Sequence, residues 1–113
     1  MFYQDPKSAL RILGVYYVER APRVIFEQER RYTALSYRIA GSSVFEDGEG
    51  AKQARDGAVT YIPAGCDYRH SNHEREKIII LHLEHYGAGE DTLQVLTNAG
   101  FAEPLFRNLL AVW

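Results

Sequence analysis

The chain is predicted to fold as an all-β sandwich or barrel followed by one C-terminal α-helix, and three features carry that expectation. From Arg11 to Tyr86, short runs rich in Val, Ile, Tyr, Phe and Thr alternate with turn residues about every ten positions, the spacing of a sheet protein that folds back on itself repeatedly. Asp-Gly pairs and a Pro-Ala-Gly triplet stand between the runs, where glycine takes positive φ without steric cost. After that the pattern changes to a helical one.

The runs give about six strands in order. "ILGVYYV" (12–18) ends before Pro22, and "RVIFEQ" (23–28) follows it. "TALSYRIAGSSVFE" (33–46) is a long run in which Gly41 marks a bulge or bend. Asp47-Gly48 and Asp56-Gly57 bracket a short hairpin arm, "EGAKQA". "AVTYIP" (58–63), "CDYRHS" (66–71) and "EKIIILHLEH" (76–85) complete the set, with polar "SNHERE" (71–76) as the turn between the last two. Beyond Gly87-Ala88-Gly89, "DTLQVLT" (91–97) reads as a strand or an extended segment. "AEPLFRNLLAVW" (102–113) reads as helix, with Pro104 suited to a first turn and Leu105, Phe106, Leu109, Leu110, Val112 and Trp113 as an apolar stripe. The organisation expected is therefore a barrel over 1–89, then an extended segment and amphipathic helix over 90–113.

At 113 residues, nearly half of them apolar, the chain can bury one sizeable core. The net charge is −2, and the Lys and Arg residues are scattered, which argues against nucleic-acid binding by this segment. Cys66 is the only cysteine, so no internal disulfide can form. The N-terminus lacks a basic-then-apolar signal and the longest apolar run, Ile78 to Leu81, is too short for a bilayer. A cytoplasmic protein without membrane contact is the expectation.

The chemistry concentrates in "GAVTYIPAGCDYRHSNHE" (57–74). Two turns frame a strand there and aim a second one, on which Tyr68 and His70, two apart, share a face. On the strand from Thr33 to Ala40, Leu35, Tyr37 and Ile39 form one face and Ala34, Ser36, Arg38 and Ala40 the other. Alternation alone would bury the first set. His70 and His73 are three apart, as are His82 and His85, which sends each pair to opposite faces of a strand and argues against a shared metal. His73 and His85 read as solvated surface, and His82 as either a hydrogen-bonded core histidine or a ligand contact. Cys66 beside Asp67 is a poor nucleophile, because a neighbouring carboxylate discourages the thiolate. Glu27 and Glu29 share a strand face, a weak indication of acid/base work.

Residues 57 to 72 resemble the second sequence motif of the cupin superfamily: Gly57, Pro63, Gly65 and Asn72 stand at its fixed positions, and Tyr68 stands where it has a histidine. If Gly41 ends the first motif, Ala34 takes the place of the metal-binding glutamate, with Glu27 and Glu29 near the histidine positions. The resemblance thus implies a double-stranded β-helix, a jelly-roll barrel with a C-terminal helix, lacking its usual metal triad. Alanine offers no donor and a tyrosine must first lose its proton. No metal and no cofactor are expected. In the cupin register Ala34, Ser36 and Arg38 would face the lumen, whereas the plainer reading leaves Arg38 in solvent.

Among cupins the chain is most similar to the N-terminal effector-binding domain of AraC-family transcriptional regulators, through "ALSYRIAGSSVFEDGEG", "RDGAVTYIPAGCDYRHSNHEREKIIILHLE" and "FAEPLFRNLLAVW". The resemblance implies a sensor that binds a small polar effector, a sugar for example, through Ser36, Arg38, Tyr68, His70 and His82. It further implies a homodimer held by helices after the barrel, and DNA contact only through a C-terminal domain beyond this chain. The chain is not expected to be an enzyme. The alternative is a metal-independent cupin isomerase or epimerase, with His70 or His82 as base and Tyr68 as acid.

Overall fold

The computed structural model describes residues 9–28, 30–86 and 92–113. Glu29 and the 87–89 junction lie outside the described residues, as does the side chain of His85. Among the described residues there are nine strands: β1 (Ala9–Arg20), β2 (Arg23–Glu27), β3 (Thr33–Ala40), β4 (Ser43–Asp47), β5 (Gly50–Ala54), β6 (Val59–Ile62), β7 (Tyr68–Asn72), β8 (Glu76–Tyr86) and β9 (Gln94–Leu96). A 3-10 turn at Gly100–Ala102 leads into the helix α1 (Glu103–Val112).

The strands form two antiparallel sheets, one in the order β1-β8-β3-β6-β9 and one in the order β2-β7-β4-β5. This is the jelly-roll arrangement expected from the sequence. The run 33–46 is not one strand: it divides at Gly41 into β3 of the first sheet and β4 of the second. Gly41 has φ of 89°, and a Cβ there would lie 2.6 Å from the Arg75 carbonyl oxygen, so the change of sheet requires a residue without a side chain. The arm "EGAKQA" contributes β5, which pairs with β4 from Ser43↔Ala54 to Asp47↔Gly50. Of the segment 91–97, Asp91 lies outside the described residues and Gln94–Leu96 forms a short strand against β6.

Both faces of β3 are buried. Its outer face carries Tyr37 into a core with Val15, Ile79, Leu81, Leu83 and Phe106, and α1 covers that face. Its inner face places Ala34 in a second core with Phe45, Ile62, Tyr68 and Leu93, between the two sheets. The first sheet therefore sits between the helix and the second sheet. That explains why amphipathic alternation alone could not identify the lumen: the more apolar face meets the helix, and the more polar face meets the other sheet.

The stripe on α1 is used in part. Phe106 is buried against Tyr37, with ring centroids 5.9 Å apart, and Leu109 and Leu110 pack beside it. Leu105, Val112 and Trp113 are exposed. Glu103 fastens the first turn to the sheet by accepting a hydrogen bond from the Tyr37 hydroxyl at 3.1 Å. No helix of the described residues is long and apolar enough to cross a membrane.

Candidate functional site in the barrel lumen

β7 brings Tyr68 and His70 to the inner face of the second sheet, with the exposed Arg69 between them on the other side. Phe45 of β4 stacks on the His70 ring at 4.7 Å and 18° and approaches Tyr68 at 5.9 Å. From the opposing sheet, β3 presents Ala34, Ser36 and Arg38, and β8 presents Ile78 and Ile80. A cavity of about 50 Å³ remains between these walls.

Four of the five residues expected to bind a ligand, Ser36, Arg38, Tyr68 and His70, line this cavity. His82 does not. It pairs with Ala34 and so occupies the same sheet face, but it lies one step beyond the cavity. There it packs between the rings of Tyr16 and Tyr32, at 5.0 and 4.4 Å. Burial, and then the nearby Arg30, push the His82 imidazole below its ordinary pKa, so it stays neutral among these rings.

Behind the cavity wall lies a residue at the overlap of the expected 71–76 turn and the expected 76–85 strand. Glu76, the first residue of β8, is fully buried. Its Oε2 accepts hydrogen bonds from Arg38 Nη1 and from the Ser43 hydroxyl, each at 2.6 Å. Its Oε1 accepts from Arg20 Nη1 at 3.1 Å. His70 Nε2 lies 2.9 Å from Ser43 Oγ and 3.7 Å from Glu76 Oε2. Burial alone would raise the Glu76 carboxyl, but the His70 imidazole, the Ser43 hydroxyl and the Arg38 guanidinium outweigh it and hold the group well below the usual carboxylate range. Arg38 is thus a buried cation with a buried partner, and the expectation that it faces solvent is corrected by its exposure of only 2%.

Tyr68 is held on its other side by Arg30, whose Nη1 donates to the tyrosine oxygen at 2.9 Å. Burial pushes the Tyr68 hydroxyl above its ordinary pKa, and the Arg30 charge only partly offsets this. Tyr68 is therefore a neutral phenol at neutral pH, able to give or accept a hydrogen bond and poorly suited to ligating a metal. No group of three His, Cys, Asp or Glu residues suited to a metal occurs among the described residues. His73 is exposed, and burial raises the pKa of the half-buried Cys66 thiol.

Arg20, Ser43, Arg30 and Glu76 were not singled out from the sequence. Ser43 and Arg30 lie in turn-like surroundings, and Arg20 precedes the Pro22 interruption. Glu76 could have been found: the inner face of β8 reads 76, 78, 80, 82, so a strand that turns Ile78 and Ile80 inward does the same with Glu76.

The same architecture occurs in solved structures. ToxT from Vibrio cholerae strain SCE256, in its unsaturated fatty acid bound form, superposes with a TM-score of 0.62 at 9% identity over 95% of this chain and 47% of its own. The Clostridium difficile EutQ protein gives 0.56 at 17% identity over 66% of each chain. A cupin-2 domain containing protein from Shewanella frigidimarina NCIMB 400 gives 0.51 at 14% identity over 67% of this chain and 78% of its own. These likenesses show a cupin fold. The chain spans 66% of the length of EutQ and less than half that of ToxT. No family model matches the sequence, and no curated protein does.

Proposed function

We propose that the chain is a ligand-sensing domain of an AraC-type transcriptional regulator, and that it takes a small polar metabolite into the barrel without a metal. The observation that carries this reading is the lumen: Arg38, Tyr68, His70 and Ser36 converge there, while Ala34 and Tyr68 occupy two of the positions where the cupin motifs would supply metal ligands. The similarity to ToxT, an AraC-family regulator, covers 95% of this chain and supports the assignment to that class. In this reading DNA is contacted by a further domain, a homodimer forms through helices after the barrel, and the protein works in the cytoplasm without catalysing a reaction.

The ligand differs in shape from the fatty acid bound by ToxT. A cavity of about 50 Å³ with several guanidinium groups in its wall is small beside the roughly 300–1,000 Å³ of ligand pockets in general. It suits a compact polar group and not a long apolar tail. A metal-free isomerase or epimerase is less well supported. Its base would be His70, whose Nε2 is engaged by Ser43, because His82 stands outside the cavity.

Thermal-shift screening of EDTA-treated protein against monosaccharides and small organic acids tests the reading, since a ligand that binds only the folded state raises Tm by mass action. A compound that stabilises the wild type but not Tyr68→Ala supports a lumenal sensor. Equal stabilisation of both moves the site elsewhere.

A further inference from the structure

We propose that the ligand enters the lumen by a carboxylate, held between the guanidinium groups of Arg30 and Arg38. This deepens the sensor reading and rests on it. Four arginines from four segments line the cavity: Arg20 at the end of β1, Arg23 at the start of β2, Arg30 before β3 and Arg38 within β3. Among the described residues, the carboxylates that face them are Glu27 in the same wall and Glu76 behind it. Four cations against two anions leave the lumen positive. Glu76 is already shared between Arg20 and Arg38, and Arg30 is bonded to the neutral Tyr68 hydroxyl.

The hydrogen-bond inventory points the same way. The Nε–H groups of Arg30 and Arg38 are both buried, and neither has an acceptor among the described residues. Buried donors are nearly always satisfied, so two such donors on residues that line one cavity, without acceptors among the described residues, call for an acceptor-rich guest. Guanidinium offers only donors. A carboxylate is acceptor-only, planar and matched to the edge of a guanidinium group. A sugar hydroxyl would bring its own proton to a wall already rich in protons to donate. The cavity, about 50 Å³, has room for a few heavy atoms, with the remainder of the ligand directed towards the exposed Arg23.

Glu76 and Ser43 act here as positioning residues. Glu76 holds Arg38 through Nη1 and Ser43 holds Glu76, while the Arg38 Nε–H carries no acceptor among the described residues.

The test is NMR of the 113-residue chain with ¹⁵N-labelled arginine, titrated separately with pyruvate, pyruvamide, inorganic phosphate and arabinose. The expected result is a saturable shift of the Arg30 and Arg38 Nε–H signals with pyruvate and none with its neutral amide. Arg30→Gln, whose backbone spectrum should remain folded, should weaken pyruvate binding at least about ten-fold, as loss of a charged hydrogen-bond partner does. Equal response to pyruvate and pyruvamide, or a response to phosphate alone, overturns the carboxylate assignment. If arabinose shifts the Ser36 and His70 amides and pyruvate does not, the carboxylate is wrong while the sensor reading stands. If none of the four moves a lumen signal, the carboxylate assignment falls, and the thermal-shift panel decides the sensor reading separately.

Discussion

Arg38 Nη1 and Glu76 Oε2 meet at 2.6 Å with both side chains excluded from solvent, at the point where β3 and the start of β8 close the inner wall of the barrel. Removing one partner of a buried pair leaves an uncompensated charge, which costs roughly 3–5 kcal/mol. Glu76→Gln and Arg38→Met should each reduce unfolding free energy by about 3 kcal/mol or more in urea titrations. The double variant Arg38→Met, Glu76→Leu should recover only part of that loss, because it removes both buried charges of the pair but leaves Arg20 and Ser43 without their shared carboxylate. A double variant no more stable than either single would show that the carboxylate acts chiefly through Arg20 and Ser43 and not through Arg38.

The same carboxylate sets the acid limit of the fold. Its folded pKa is held well below its ordinary value of 4.5, so its contribution is fully present above the unfolded pKa and is lost as pH falls from there towards the folded value. Stability should therefore fall steadily below about pH 4.5. In Glu76→Gln that part of the slope should disappear, leaving a flatter stability profile between pH 5 and pH 3 by chemical denaturation. An unchanged slope would assign the acid loss to other carboxylates.

Gly41 should not accept a side chain. Its φ of 89° is strained for any residue with a Cβ, and the added atom would lie 2.6 Å from the Arg75 carbonyl oxygen and 3.0 Å from Glu76 Cα. The backbone term alone is on the order of 1–3 kcal/mol. Gly41→Ala should exceed it, because backbone must shift beside Glu76. Gly48→Ala, where a Cβ meets nothing within 4 Å, is the matched control and should change little.

Much of this fold was legible from the sequence, and the gaps have physical causes. Turn residues marked most strand ends, because Gly57 and Gly65 adopt positive φ, at 81° and 82°. They could not show that Gly41 moves the chain from one sheet to the other, since a bend and a change of sheet leave the same glycine in the sequence. Tyr68 and His70 were read correctly as sharing a face, because strand periodicity is local. Glu76 was lost to its neighbours. Flanked by Arg75 and Lys77 it looks like a solvated turn, and only the long-range contacts to Arg20, Arg38 and Ser43 make it an interior residue. His82 shares the inward face but lies beyond the cavity, a distinction of position along the barrel that alternation does not encode.

Phe106 tests the helix. It is buried against Tyr37 and the outer face of the first sheet, so Phe106→Ala should cost about 3–5 kcal/mol. Leu105→Ala, at an exposed position on the same helix, should cost under about 0.5 kcal/mol. Equal losses would mean that the exposed part of the stripe is covered in solution.

The central claim is that the lumen binds a small molecule without a metal. The most direct measurement is amide chemical-shift mapping of EDTA-treated protein of known metal content, titrated with a compound that raises its Tm. The account predicts that the largest shifts fall on Ala34, Ser36, Arg38, Tyr68 and His70 in protein free of stoichiometric metal. Binding that appears only when one equivalent of a transition metal is restored, or shifts centred on Leu105 and Trp113 with the lumen signals unmoved, would contradict it.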